Sequence, residues 1–323
     1  MIQELKNFIL NDVKNCKILV VGDVMLDKYY FGEVTRISPE APVPINHVTK
    51  VKETLGGAAN VAHNLARLGC NSILIAEIGK DNHGDTFLKK LKNYGVDGSK
   101  IFRSNKPTTT KIRVISGHQQ MLRLDFEDTS EIQCDEIFCE KIISAIKNVH
   151  AVIISDYGKG VCTDEICKKI ILECRKNKKI VTIDPKGDNW QKYFGASFIT
   201  PNLKEFNEIL PKKIPNVDDE IENSAQTVIK NFNLDGLLVT RSAKGLSLIS
   251  EKISHIKAHA QEVFDVSGAG DTVIAVFTLA LAGGISAEKA ALLANIAAGV
   301  VVAKVGTYAV SNDELLAILE KNL

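Results

Sequence analysis

Six short β-rich apolar runs punctuate the chain, at residues 17–21 (KILVV), 73–76 (ILIA), 151–155 (AVIIS), 180–184 (IVTID), 197–200 (SFIT) and 236–240 (GLLVT). Longer stretches with helical periodicity lie between most of them. A strand that is apolar on both faces must be covered on both, and parallel neighbours need a crossover connection. The alternation therefore predicts a mostly parallel sheet flanked by helices. Helices are expected over 57–68, 85–94, 135–148, 163–177, 223–232, 271–282, 287–304 and 312–320. At roughly 150 residues per domain, 323 residues suit about two domains. No Pro/Gly/Ser-rich linker or repeat divides the pattern, so one α/β domain over 1–323 is expected.

Two segments depart from the alternation. Residues 29–54 hold Pro39, Pro42 and Pro44 between β-prone stretches, which suits edge strands and turns. Residues 110–126 read as a β-hairpin turning near Ser116-Gly117. Period 2 puts Lys111 and Arg113 on one face of its first arm, and Arg123 and Asp125 on one face of its second. If those faces coincide, the hairpin has one apolar side and one cationic side. An ordinary amphipathic hairpin whose charges only meet water would look the same.

Composition excludes several classes. With 45% apolar and 24% charged residues the chain is neither disordered nor a coiled coil. Forty Lys+Arg against 39 Asp+Glu leave a net charge of +1, so no global field gathers nucleic acid or anionic lipid, and any anion must be held by a local site. The seven cysteines are odd in number and never spaced Cys-x-x-Cys, which points to reduced thiols. Residues 1–15 carry no signal-peptide pattern, and the apolar stretches 272–281 and 290–303 are too short or too interrupted to span a bilayer. A cytoplasmic protein without membrane or nucleic-acid partners is expected.

The strongest chemical signal is Asp265-Val-Ser-Gly-Ala-Gly-Asp271, followed at once by the apolar helix TVIAVFTLALA. Gly268 and Gly270 permit a tight turn, and the N–H groups of a helix start with its positive dipole end make an anion hole over Gly268, Ala269 and Gly270. A carboxylate in that first turn, Asp271, is placed to act as base for a phosphate-acceptor hydroxyl. Gly56-Gly57-Ala58-Ala59-Asn60 again joins small residues to a helix start, with an amide able to hold a polyol. In Asn202-Leu203-Lys204-Glu205, Asn202 and Glu205 are three apart; on a helix they would share a face and could position phosphates or a hydrated Mg²⁺. Singly, each of these is also an ordinary N-cap or a packing glycine. No Walker A motif and no Rossmann GxGxxG are present. His255 and His259 lack the HExxH glutamate, and Cys134/Cys139 and Cys162/Cys167 fit no zinc spacing.

Taken together, these motifs resemble those of the ribokinase-like, or pfkB, carbohydrate kinases. The match runs from about Lys17 to Lys304, with Gly22-Asp23, GGAAN, Asn202-x-x-Glu205, Thr240 to Gly245 and GAGD in order; Ser267 stands where the family usually has Thr. The resemblance implies a three-layer α/β/α sandwich with a small β-sheet lid built from about 29–54 and 108–126. It implies Asp271 as catalytic base, Gly268–Gly270 as the hole for the transferring phosphate, and Asn202, Leu203, Lys204 and Glu205 on the ATP–Mg²⁺ side. Thr240, Ser242 and Gly245 would border the nucleotide and Asn295 would lie near adenine. Asp23, Asp27, Gly56, Gly57 and Asn60 would bind sugar hydroxyls. A monovalent cation requirement stays open.

Further segments, among them RISPEAPVPI, TKIRVISGHQQMLRLDFE, SDYGKG and IDPKG, resemble the branch of the family that phosphorylates D-glycero-β-D-manno-heptose 7-phosphate at its anomeric hydroxyl, on the route to ADP-heptose. A substrate that already carries phosphate needs fixed cations, and Lys111, Arg113, Arg123 and Lys159 are the candidates. The apolar side of the lid implies a homodimer through paired lids. Some relatives carry a fused adenylyltransferase domain. This chain ends soon after the kinase elements, so bifunctional activity is not expected. The alternatives are another sugar or sugar-phosphate kinase of the family, or a non-catalytic nucleotide-binding regulatory module.

Overall fold

The computed structural model describes residues 1–132, 136–259, 263–304 and 306–321. Its main sheet has eight strands in the order Ile253–Ile256, Leu246–Ile249, Gly236–Thr240, Phe198–Ile199, Ile180–Asp184, Ala151–Ser155, Lys17–Gly22 and Asn71–Ile75. The six expected strands are all present and mutually parallel. The two at the far edge, Leu246–Ile249 and Ile253–Ile256, are antiparallel additions that the apolar runs did not announce.

Alternation along each central strand divides the core. Ile18 and Val20 pack on one face with the helices Ala58–Arg67, Ala269–Ala282 and Ala287–Val302. Leu19 and Val21 pack on the other with Glu136–Lys147, Asp164–Lys176 and Asp218–Phe232. All four side chains are fully buried, as a covered parallel sheet requires. The helix expected over 135–148 begins at Glu136 among the described residues; Cys134 and Asp135 lie outside them. Cys16, Cys70, Cys162, Cys167 and Cys174 are buried free thiols, whereas Cys139 is disulfide-bonded, a departure from the all-thiol expectation.

The departing segments form a second, four-stranded sheet in the order Pro44–Gly57, Val24–Ile37, Thr110–Ser116 and Gln119–Phe126. Pro39 and Pro42 fall in the turn between its two 14-residue strands, where no ladder N–H is needed. The hairpin turns at Gly117-His118, one residue later than expected, with Gly117 at φ +58. Its register pairs Arg113 with Arg123 and Lys111 with Asp125, and sets Lys111 beside Asp27 and Arg113 beside Tyr29, so the charged faces do coincide. Among the described residues no helix is long and apolar enough to cross a membrane.

Candidate active site

Parallel strands all deliver their C-terminal loops to one edge of the sheet, the edge where open α/β sheets bind ligands. Asp23 comes directly after Lys17–Gly22, Asp156 and Tyr157 come after Ala151–Ser155, Asp184 ends Ile180–Asp184, and Asn202 pairs with Thr240 beyond the next two strands. The turn at Gly268 brings Asp271 to the same edge, since Asp271 contacts both Asn60 and Tyr157.

Gly268 is the N-cap of Ala269–Ala282 at φ +80, and a Cβ there would stand 2.9 Å from Asn60 Nδ2, so glycine is required on both counts. The Ala269 N–H is already donated to the Val266 carbonyl at 3.2 Å, which takes Ala269 out of the expected anion hole. The N–H groups of Gly270 and Asp271, in the first turn, have no acceptor within the helix. Asp265 holds the approach to this turn by accepting the N–H groups of Ser267 and Gly306, both at 2.9 Å.

Asp271 is 5% exposed. Its Oδ2 accepts from Asn60 Nδ2 and its Oδ1 from the Tyr157 hydroxyl, both at 2.7 Å. Burial pushes its carboxyl up to about 6, against the two hydrogen bonds, and the nearby Asp27 carboxylate pushes the same way. A carboxylate poised near neutrality at a helix start is suited to take a proton from a hydroxyl.

Several expected sugar contacts are engaged within the protein. Asp23 Oδ2 accepts the N–H groups of Tyr157 and Lys159, and its Oδ1 that of Val161, each at 2.9 Å. Asp23 thus anchors the SDYGKG loop, with three of its about four acceptor positions occupied by backbone N–H groups. The amide of Asn60 is given to Asp271. Asp27 accepts from Arg113 Nη1 at 2.6 Å. Gly56 and Gly57 lie where the lid strand meets the core: a Cβ at Gly56 would be 2.6 Å from Asp27 Oδ2, and one at Gly57, at φ +62, would be 2.5 Å from the Asp23 carbonyl.

The lid cations are likewise partnered. Lys111 Nζ is 3.1 Å from Asp125, Arg123 Nε 3.0 Å from Asp125, and Lys159 Nζ 2.7 Å from Glu127. The face is mixed rather than cationic, because the period that gathers the cations gathers Asp125 and Glu127 too. Sequence reasoning passed over Lys52. Paired with Tyr29 in the register, it shares the face of Arg113, and its Nζ would be 3.2 Å from a Cβ placed on Gly306. Its charge helps hold the Asp265 carboxyl below the usual range.

On the opposite flank, Asn202 is the N-cap of Leu203–Glu208 and not a residue within it. The two side chains form a capping box: Glu205 N–H donates to Asn202 Oδ1 and Asn202 N–H to Glu205 Oε2, both at 3.0 Å. Leu203 and Lys204 occupy the first helical turn, with Lys204 Nζ 3.9 Å from Glu208. Thr240 N–H donates to the Pro201 carbonyl at 2.9 Å, and Ser242 (φ +53) and Gly245 (φ +84) make the tight turn after that strand. Asn295 Nδ2 donates to the Lys257 carbonyl at 2.7 Å, tying the late helix to the segment that borders Gly245.

For a divalent cation the arrangement offers Asp184 and Glu205. Burial raises both carboxyls, and the Glu205 charge raises Asp184 further, while Lys186 offsets both in part. Oxygen-only, incompletely compensated donors fit Mg²⁺. Asp23, Asp156 and Cys162 offer ligand atoms within 4.8 Å of one another, but three backbone N–H groups already donate to Asp23, and Gly158, Lys192 and Tyr193 to Asp156.

A helix start opened by glycine, a buried carboxylate in its first turn and a β-sheet lid across the strand ends define a phosphotransferase of small hydroxylated substrates. The chain belongs to the pfkB family of carbohydrate kinases, whose model matches residues 15–314; it is a sugar kinase. It is 46% identical over 307 residues to the bifunctional protein HldE of Haemophilus influenzae (strain PittEE), covering 94% of this chain and 63% of that protein. Identity to HldE of Actinobacillus succinogenes is 45% over 303 residues, 93% of this chain and 63% of that one. The chain thus spans less than two thirds of the curated relatives it matches. In fold it is similar to a ribokinase of Arabidopsis thaliana complexed with ribose and ATP, with a TM-score of 0.79 at 20% identity, covering 94% of this chain and 99% of that one. Phosphofructokinase-2 of Escherichia coli in complex with potassium gives a TM-score of 0.75 at 18% identity, covering 94% and 99%.

Proposed function

We propose that the protein transfers the γ-phosphoryl group of ATP to the anomeric C1 hydroxyl of D-glycero-β-D-manno-heptose 7-phosphate, giving the 1,7-bisphosphate on the way to ADP-heptose in the cytoplasm. The observation that carries the kinase reading is Asp271, buried, held by Asn60 and Tyr157, and set in the first turn of a helix opened by Gly268. The substrate reading is supported by the 46% identity to HldE and by the Arg- and Lys-bearing lid.

In this mechanism Asp271 takes the C1 hydroxyl proton as that oxygen bonds to the γ-phosphorus and the bond to the departing ADP oxygen breaks. The first-turn amides of Gly270 and Asp271 hold the charge on the transferred group. Lys52, Arg113, Arg123, Lys111 and Lys159 share the sugar's own phosphate, Arg113 leaving Asp27 free to accept sugar hydroxyls when it turns to the phosphate. Asp184 and Glu205 would hold Mg²⁺, which would supply positive charge to the phosphates of the nucleotide. Two lids pack through their outer apolar faces in a homodimer.

The test is to incubate the protein with ATP, Mg²⁺ and either heptose 7-phosphate, fructose 1-phosphate or ribose, monitor ADP, and locate the new phosphate by ³¹P NMR. ADP formed fastest with the heptose, with a new signal coupled to H1, is expected. Faster turnover of another sugar would replace the substrate, and no sugar-dependent ADP at all would leave a nucleotide-binding module.

A further inference from the structure

The segment Asp156–Val161 is anchored far beyond what a surface turn needs. The Asp23 carboxylate, from the neighbouring strand end, receives three of its N–H groups, and Asp156 Oδ1 receives a fourth from Gly158 at 2.8 Å. Asp156 is itself fixed by the Tyr193 hydroxyl at 2.6 Å and by Lys192. These bonds immobilise the backbone that carries Tyr157. The phenol therefore arrives at Asp271 Oδ1 with little freedom left to lose on ordering.

We propose that Tyr157 is a positioning residue for the catalytic base, its hydroxyl fixing one oxygen of Asp271 while Asn60 fixes the other and Asp23 fixes the loop that delivers it. This rests on the reading of Asp271 as the base. A carboxylate has about four acceptor positions on its two oxygens. One donor on each oxygen sets the rotation of the group and leaves each oxygen a lone pair for the acceptor hydroxyl.

The groups around Asp271 explain why a donor is needed there. The Asp27 carboxylate on the lid strand raises Asp271, and the Asp271 charge in turn raises Asp184 at the end of Ile180–Asp184, while the Glu205 charge acts on Tyr157. Asp27, Asp184 and Glu205 are all acids, and Lys186 acts on Asp184 and Glu205 rather than on Asp271. The two neighbours that favour the ionised form are neutral donors, Asn60 from Ala58–Arg67 and Tyr157 from the anchored loop. Burial and the charge of Asp271 push the Tyr157 phenol well above its ordinary range, so it stays protonated and donates throughout the working pH range.

Removing the hydroxyl should therefore raise the pKa of Asp271, whereas a purely structural tyrosine would leave it in place. In Tyr157→Phe, the ¹³C carboxyl titration of Asp271, assigned by its absence from Asp271→Asn, is expected to move up by about one unit. The acid limb of sugar-dependent turnover should move with it, lowering activity at pH 6 more than at pH 8. Replacing Tyr157 with 3-fluorotyrosine, a more acidic donor, is expected to move both downward. A titration unmoved in folded Tyr157→Phe overturns the proposal. If that variant does not fold, an unmoved titration in the fluorotyrosine protein overturns it instead. Lack of turnover with heptose 7-phosphate would count against the substrate and leave the carboxyl titration to decide the role of Tyr157.

Discussion

Asp271 carries two competing demands, since its burial favours the neutral acid and the base role proposed for it requires the anion. With its carboxyl near 6, the base is ionised above that pH and protonated below it. Turnover per encounter, kcat/KM, should then fall about tenfold for each unit below pH 6 and level off above it, as for any reaction that needs one deprotonated group. Asp271→Asn keeps the shape but cannot take the proton, so kcat should drop by about 10²- to 10⁴-fold. Affinity for ATP, measured by calorimetry, should change little; a variant with full kcat would remove Asp271 from the mechanism. This residue was legible because GAGD before an apolar helix is a local pattern. The anchoring role of Asp23 and the place of Tyr157 were passed over for the opposite reason: their partners are 134 to 138 and 114 residues away in the chain. No spacing in the sequence announces a carboxylate that accepts backbone N–H groups from a distant loop.

At the scale of elements, the junction between the lid and the core is the most demanding. Gly57 ends the lid strand Pro44–Gly57 and caps Ala58–Arg67 at φ +62, ψ −140, with the Asp23 carbonyl where a Cβ would stand. Gly117, at the hairpin tip, has a similar φ of +58 but open space around it. Gly57→Ala combines backbone strain with a clash against the main chain and should cost about 2–5 kcal/mol, whereas Gly117→Ala should cost about 1–2. Urea midpoints of the two variants measure the difference, and equal losses would refute the steric argument. The six parallel strands were readable because each is apolar on both faces. Leu246–Ile249 and Ile253–Ile256 were not, being four residues each at the sheet edge, with polar residues such as Ser247 and His255 interleaved. Those polar residues hydrogen-bond to each other at 2.7 Å and to the buried Arg241, pairings that no periodicity encodes. The lid faces were readable from period 2, but the same period concealed how far Asp125 and Glu127 would offset the cations.

For the whole molecule, the near-zero net charge leaves hydrophobic burial to govern association. The outward face of the lid carries Val51 and Leu122, each 51% exposed, and Leu124, 41% exposed, with Met121 beside them at 41%. The register aligns Tyr30 with Val51 and Val114 with Leu122, so these side chains form one continuous surface across all four strands. A contiguous apolar patch of this kind, flanked by the Lys28–Glu53 ion pair on the same face, favours a second layer. In the proposed homodimer the same face of a second copy supplies it, because a twofold axis lets one patch cover itself. Light scattering at micromolar concentration should therefore give twice the chain mass. Leu122→Asp/Leu124→Asp places two carboxylates on each lid, four at the paired interface, and should yield a monomer with an unchanged far-UV spectrum. Since each lid bears the cations proposed to hold the sugar phosphate, the monomer should show a raised KM for the sugar phosphate with little change for ATP. A parent protein that scatters as a monomer, or a double variant that stays dimeric, would place the dimer contact elsewhere or remove it.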